Sequence, residues 1–133
     1  MTTSSRRQTL RKTERLHEKK AIDSLFENPA TVINSPVRLL WKAYEGVSEP
    51  PVKVVFSVPR RSFKKAVDRN LLKRRMREAY RKNKYILYGA IEKGMKHYHL
   101  MFVYIARDKV SYAEIESKIV LTLQRLADKT SGK

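Results

Sequence analysis

The chain has 133 residues, with 30 Lys or Arg against 13 Asp or Glu, for a formal charge of +17. That length suits one domain with a real core, and that charge favours nucleic acid or an anionic membrane as partner. With no cysteine, disulfides, thiolate metal sites and a cysteine nucleophile are excluded, and no apolar run nears the ~20 residues of a membrane span.

Residues 1–12 are polar and basic without apolar period, and are expected to form a flexible arm. They lack the apolar segment of a signal peptide, so the expected location is cytoplasmic. A single domain is expected over residues 13–128, with 129–133 a polar tail. From about Thr13 to Asn28, the residues Leu16, Ile22, Leu25 and Phe26 supply the apolar positions of a short helix. Asn28-Pro29 stops it, because proline disfavours helical geometry in the residue before it. Val37, Leu39, Trp41 and Ala43 then alternate with Arg38, Leu40, Lys42 and Tyr44, the period of a strand. Gly46 to Pro51 is rich in turn formers. Val52 to Val58 reads as a second strand, ended by Pro59.

Arg60 to Lys84 concentrates the charge. Its cations are Arg60, Arg61, Lys64, Lys65, Arg69, Lys73, Arg74, Arg75, Arg77, Arg81, Lys82 and Lys84, opposed only by Asp68 and Glu78. Apolar residues recur at Phe63, Val67, Leu71 and Leu72, Met76, Ala79 and Tyr80, which predicts a helix with one face in a core. Ser62 is its expected N-cap. Arg69, Lys73, Arg77 and Arg81 fall in an i, i+4 row on another side, with Asn70 and Arg74 beside it. Like charges at that spacing cost an isolated helix ~0.2–0.5 kcal/mol per pair. A charge run is often only a solvated face, but this density on one side points to a polyanion. Arginine adds bidentate phosphate geometry to charge, and the Asn70 amide offers both a donor and an acceptor.

Gly89 and Gly94 break the stretch Tyr85 to His97, which is expected to be the helix end followed by a loop. His99 to Ala106 is nearly continuously apolar and predicts a central strand. Tyr112, Ile115, Ile119, Leu123 and Leu126 mark an amphipathic helix ending near Ala127. The expected class is α+β, a small sheet with helices packed on it. Sites for independent catalysis are sparse. His17, His97 and His99 are the only histidines, and the i, i+2 spacing of the last two is a weak metal signal. Acidic residues are not grouped for two metals, and no Gly-rich phosphate loop is present. No catalytic or metal-ligating residue is assigned. Trp41, Tyr44 and Phe26 are candidate base-stacking aromatics, or core residues.

The run AVDRNLLKRRMREAYR resembles the signature of the bacterial ribonuclease P protein subunit family: Arg-Asn, two residues, Lys-Arg, two residues, Arg, preceded by Ala-Val. Here these are Ala66, Val67, Arg69, Asn70, Lys73, Arg74 and Arg77. Ser57, Val58, Arg60 and Arg61 precede it as in the family, and an apolar strand ending in Ala106-Arg107 follows. The resemblance extends from Leu16 to Leu126. It implies a ribosomal S5 domain 2-like α+β fold, a mixed sheet of about four strands, and a left-handed βαβ crossover through the basic helix. It also implies a function: the small partner of a catalytic RNA that removes the 5′ leader of precursor tRNA. The RNA would carry the chemistry with Mg2+. The implied RNA contacts are Arg60, Arg61, Lys64, Lys65, Arg69, Asn70, Lys73, Arg74, Arg77 and Arg81. Ile22, Phe26, Leu40, Trp41 and Lys42 would line a leader cleft. Protein oligomers are not expected. Two departures stand out: SFKK replaces a glycine before the Ala-Val, and Ile22 stands where many members have an aromatic. The alternatives are a ribosomal protein or RNA chaperone, for which a basic helix suffices, and a self-sufficient nuclease, for which residues are missing.

Overall fold

A computed structural model describes residues 10–46, 48–91 and 96–130. The strands are β1 (Ala30–Asn34), β2 (Val37–Glu45), β3 (Val52–Ser57) and β4 (Lys96–Tyr104), with alternating burial clearest in β3. They form one sheet in the order β1-β2-β4-β3. β2 pairs antiparallel with β1 and with β4, setting Leu40 opposite Met101. β3 runs parallel to β4, with Val54 opposite Leu100. A parallel pair needs a crossover connection, and the helix α2 (Ala66–Asn83) lies on it. The result is the α+β class, with a mixed sheet and helices on it.

Period-two alternation gives the sheet two unlike faces. Val37, Leu39, Val54, Phe56, Leu100, Phe102 and Tyr104 meet α2 and α4 (Tyr112–Thr130) in the main core, where Leu72, Met76, Tyr80, Ile115, Ile119 and Leu123 are buried. Phe56 stacks on Phe102 at 5.8 Å, with the Tyr80 ring edge-on at 6.0 Å. The opposite face is thinly covered. There Leu40, Met101 and Val103 pack with Leu16 and Leu25, and with the partly buried Ala21 and Ile22 of the short helix α1 (Lys19–Ser24).

Several boundaries differ from those predicted. The first helix is not continuous from Thr13 to Asn28. A 3-10 turn at Lys12–Glu14 leads into extended chain, and Leu16 N–H donates to Val54 O at 2.8 Å. Arg15 thus bridges Val54 in parallel. The segment covers part of the otherwise open edge of β3, whose backbone groups need partners, and α1 is left with Lys19–Ser24 alone. Asn28, at φ 56°, takes the left-handed conformation in the turn before Pro29. The resemblance implies about four strands, but the apolar pattern does not locate β1. Of its five residues only Val32 is buried, too little contrast for a pattern.

The basic helix begins at Ala66, and Lys65, not Ser62, is the N-cap. Ser62 and Phe63 instead donate to Pro59 O in a turn at 3.2 and 3.3 Å. Phe63 is buried through that turn, whereas Val67, expected on the core face, is 70% exposed. Counting back three or four residues from the buried Leu72 reaches Asp68 and Arg69, so Val67 is out of phase.

At the ends, Leu10 joins the main core, so the domain starts before Thr13; residues 1–9, the rest of the expected arm, lie outside the described residues. Tyr85–Tyr88 forms a short helix, α3, capped by Gly89. The loop expected around Gly94 falls on residues 92–95, also outside the described residues. β4 starts at Lys96 and ends at Tyr104, earlier at both ends than expected. α4 runs past Ala127 to Thr130, and residues 131–133 are outside the described residues.

Candidate nucleic-acid interface

With Leu72, Met76, Ala79 and Tyr80 in the core, the remaining sides of α2 face outward. Asn70, Arg74 and Arg77 are exposed and, among the described residues, their side chains carry no hydrogen bond or ion pair. Their spacing of four and three residues makes them one stripe, with the partly buried Lys73 beside it. Arg81 lies a turn beyond Arg77 but is already engaged: its Nε and a terminal nitrogen meet the two Glu78 oxygens at 3.0 and 2.6 Å. That hydrogen bonding holds the Glu78 carboxyl below its ordinary range and raises the Arg81 guanidinium.

Arg69 turns the other way. One terminal nitrogen donates to both Phe63 O and Lys64 O at 2.8 Å, clamping the turn that enters the helix. Arg60, Arg61, Lys64 and Lys65 are exposed on that turn. Among the described residues, positive φ occurs at Asn28 and Gly46 and nowhere in 59–65, so SFKK turns the chain without the glycine it replaces. Three more cations of the stretch, and one of its two acids, are tied into the fold or its neighbours. Arg75 donates to Val110 O at 2.7 Å. Lys82 lies 5.8 Å from the Tyr112 ring centre. Lys84 is buried against Glu14, and Asp68, in the first turn of the helix, binds Lys109 at 2.7 Å. The charge run therefore divides into internal ties and an outward stripe with its adjoining turn.

The thinly covered sheet face holds a second group. Ile22 and Leu40 share its small core, and Lys42 Nζ donates to Ser24 Oγ on α1 at 3.5 Å. Phe26, one residue past the buried Leu25, is 62% exposed. Trp41 is not with them. It packs on the main core with its ring 6.2 Å from that of Tyr98, because neighbours along a strand point to opposite faces. The expected cleft set is thus split by the sheet.

The same alternation adds residues that the cleft assignment missed. Arg38 and Tyr44 share the face of Leu40 and Lys42, and in register with them stand His97 and His99 on β4 and Lys53 on β3. The signal was present in β2, where a face defined by Leu40 must include Tyr44. Burial first, and then the charges of His97 and Lys53, hold the His99 imidazole below its ordinary range. Among the described residues, no three His, Asp or Glu gather as a metal ion would require. No described helix is long and apolar enough to cross a membrane.

Against known proteins, residues 10–127 match the family model described as Ribonuclease P. The chain is 26% identical over 118 residues to the ribonuclease P protein component of Porphyromonas gingivalis, covering 89% of this chain and 86% of that one. It is 35% identical over 114 residues to that of Chlorobaculum tepidum, covering 80% and 74%. The fold resembles the solved ribonuclease P protein from Thermotoga maritima at a TM-score of 0.63 and 24% identity, covering 84% of this chain and 96% of that one.

Proposed function

The chain belongs to the ribonuclease P protein family, and from that premise we propose how this subunit of a ribonucleoprotein endonuclease does its work. The carrying observation is the outward stripe Asn70, Arg74 and Arg77, continuous with the turn that Arg69 clamps. On this reading the stripe, Lys73, and the exposed Arg60, Arg61, Lys64 and Lys65 bind the catalytic RNA. Each phosphate neutralised releases condensed counterions, which gives the affinity its strength and salt dependence. Arg69 acts by holding the turn, and Arg81 keeps Glu78 as its partner.

The single-stranded 5′ leader of precursor tRNA lies across the α1 face, over Ile22, Leu40 and Lys42, with the exposed Phe26 at its margin. Leader contacts on the sheet and RNA contacts on the helix packed against it fix the scissile phosphate relative to the RNA, and such positioning lowers the barrier without any protein group entering the chemistry. Mg2+ supplies Lewis-acid chemistry in the RNA. On this reading the protein contributes binding and orientation, in the cytoplasm. The family match does not favour the ribosomal-protein or chaperone alternative.

Leader cleavage at low magnesium tests the reading, with protein alone, cognate RNA alone, and both together. Acceleration in the mixture only is expected. Cleavage by the protein alone, or an inert mixture in which the RNA is still bound, would overturn it.

A further inference from the structure

The far end of the α1 face carries rings to which the leader cleft assigns no role. Tyr44 stands opposite His97 across β2 and β4, and Lys42 opposite His99, while β3 brings Lys53 opposite His99 from the other side. Directly opposed residues share a face, so these five side chains form one patch. Tyr44 stacks on His97 with centroids 5.4 Å apart and planes at 20°, and its ring lies 4.8 Å from that of His99. All three are only partly buried. His97 is held in place from the loop side, where its Nδ1 donates to Gly46 O at 3.1 Å. A carbonyl can only accept, so that nitrogen carries the proton.

Fixed, half-open rings beside two lysines are what single-stranded nucleic acid uses: bases stack on the rings and phosphates meet the ammonium groups. The field at His99 is set by His97 and Lys53 against the opposing Glu18. The position in the fold selects which nucleotides arrive there. β3 ends at Ser57 beside Val103, and the basic turn with Arg60 and Arg61 follows at once. Tyr44 and His97 sit at the other end of the same strands. Along β2, Tyr44 is about 13 Å beyond Leu40 at the rise of a strand. A leader that starts near the basic turn and passes over Leu40 reaches the rings with its more distant nucleotides.

We propose that Tyr44, His97 and His99 form a stacking subsite for the distal, 5′-terminal nucleotides of the leader, flanked by Lys42 and Lys53 for its phosphates. The subsite rests on the leader-cleft reading above and makes affinity depend on leader length beyond what the cleft supplies.

The test is equilibrium binding of precursor tRNAs with unstructured leaders of graded length to the enzyme reconstituted from this chain and its cognate RNA. For the wild type, affinity should rise with length in an early step and again when the leader is long enough to pass Leu40. Tyr44→Ala should lose the second step, about tenfold for one stacked base, and His97→Ala should reduce it. Tyr44→Phe, which keeps the ring, should retain it and so separates stacking from folding. Equal weakening by Tyr44→Ala at every length, or a Tyr44→Ala curve that follows the wild type, would overturn the subsite while leaving the cleft. A wild-type affinity that does not change with leader length at all would overturn the leader reading itself.

Discussion

Lys84 donates to both carboxylate oxygens of Glu14, at 2.9 and 2.8 Å, across 70 residues of chain. Both residues are buried, and Tyr88 O–H and Arg11 N–H complete the carboxylate's partners at 2.6 and 2.8 Å. The pair joins the chain ahead of α1 to the end of the basic helix. The chain leading into the proposed leader face and the helix proposed to bind RNA are thereby held in a fixed relation. Removing one partner strands a buried charge, which costs about 3–5 kcal/mol. Glu14→Ala should therefore lower the urea midpoint far more than Glu14→Ala combined with Lys84→Met. Equal losses in the single and double variants would mean the pair is not the joint.

The same carboxyl sets an acid limit. Burial opposes its ionisation, but hydrogen bonds from Lys84, Tyr88 and Arg11 outweigh burial and hold it below the usual glutamate range. The unfolded chain therefore binds this proton first as pH falls, so the stabilisation is complete above about pH 4.5 and is lost as pH drops through the folded value. Urea unfolding at a series of pH values between neutral and about 3 should show the decline in the wild type and a flatter profile in Glu14→Gln, referenced to the same range. A wild-type profile that matches the variant would remove Glu14 as its source.

Arg69 and Arg77 should separate cleanly. Arg77→Ala removes an exposed cation without internal partners among the described residues. It should reduce the salt slope of binding to the catalytic RNA by about one unit per lost phosphate contact, with an unchanged urea midpoint. Arg69→Ala removes two hydrogen bonds to backbone carbonyls. Its primary effect should be a loss of stability, on the order of 1–3 kcal/mol for bonds from a charged donor. Arg69→Lys should restore it only partly, because an ammonium cannot reproduce the planar fork. A change of salt slope by Arg69→Ala at unchanged stability would return Arg69 to the direct contacts.

Those two arginines also show what the sequence could and could not disclose. Period two marked β2 and β3, and the 3.6-residue period marked α2 and α4, because each buries one face and exposes the other. The signature residues marked the family. Roles within the charge run were hidden, since Arg69, Arg75 and Arg77 look alike until the turn at Phe63 and the loop at Val110 place carbonyls beside two of them. Lys84 read as one more cation of the run and Glu14 drew no reading, because nothing local reports a partner 70 residues away. β1 was missed for want of contrast, with Val32 its only buried residue. Trp41 was assigned to the cleft from the resemblance, although the alternation that identified its strand already placed it on the far side.

Phe26 is the sharpest remaining test of the cleft. At 62% exposed it contributes little to the core, whereas its neighbour Leu25 is fully buried. Phe26→Ala should leave the urea midpoint nearly unchanged, as surface substitutions do to within about 0.5 kcal/mol. Leu25→Ala should cost about 2–5 kcal/mol. In the reconstituted enzyme, Phe26→Ala should weaken binding of leader-bearing precursor more than binding of mature tRNA, because only the precursor carries the strand proposed to cross this face. The comparison is internal to one variant, so a general loss of activity cannot mimic it. Equal weakening of both ligands would make Phe26 a packing residue or an RNA-subunit contact, and the leader would have to run elsewhere on the sheet.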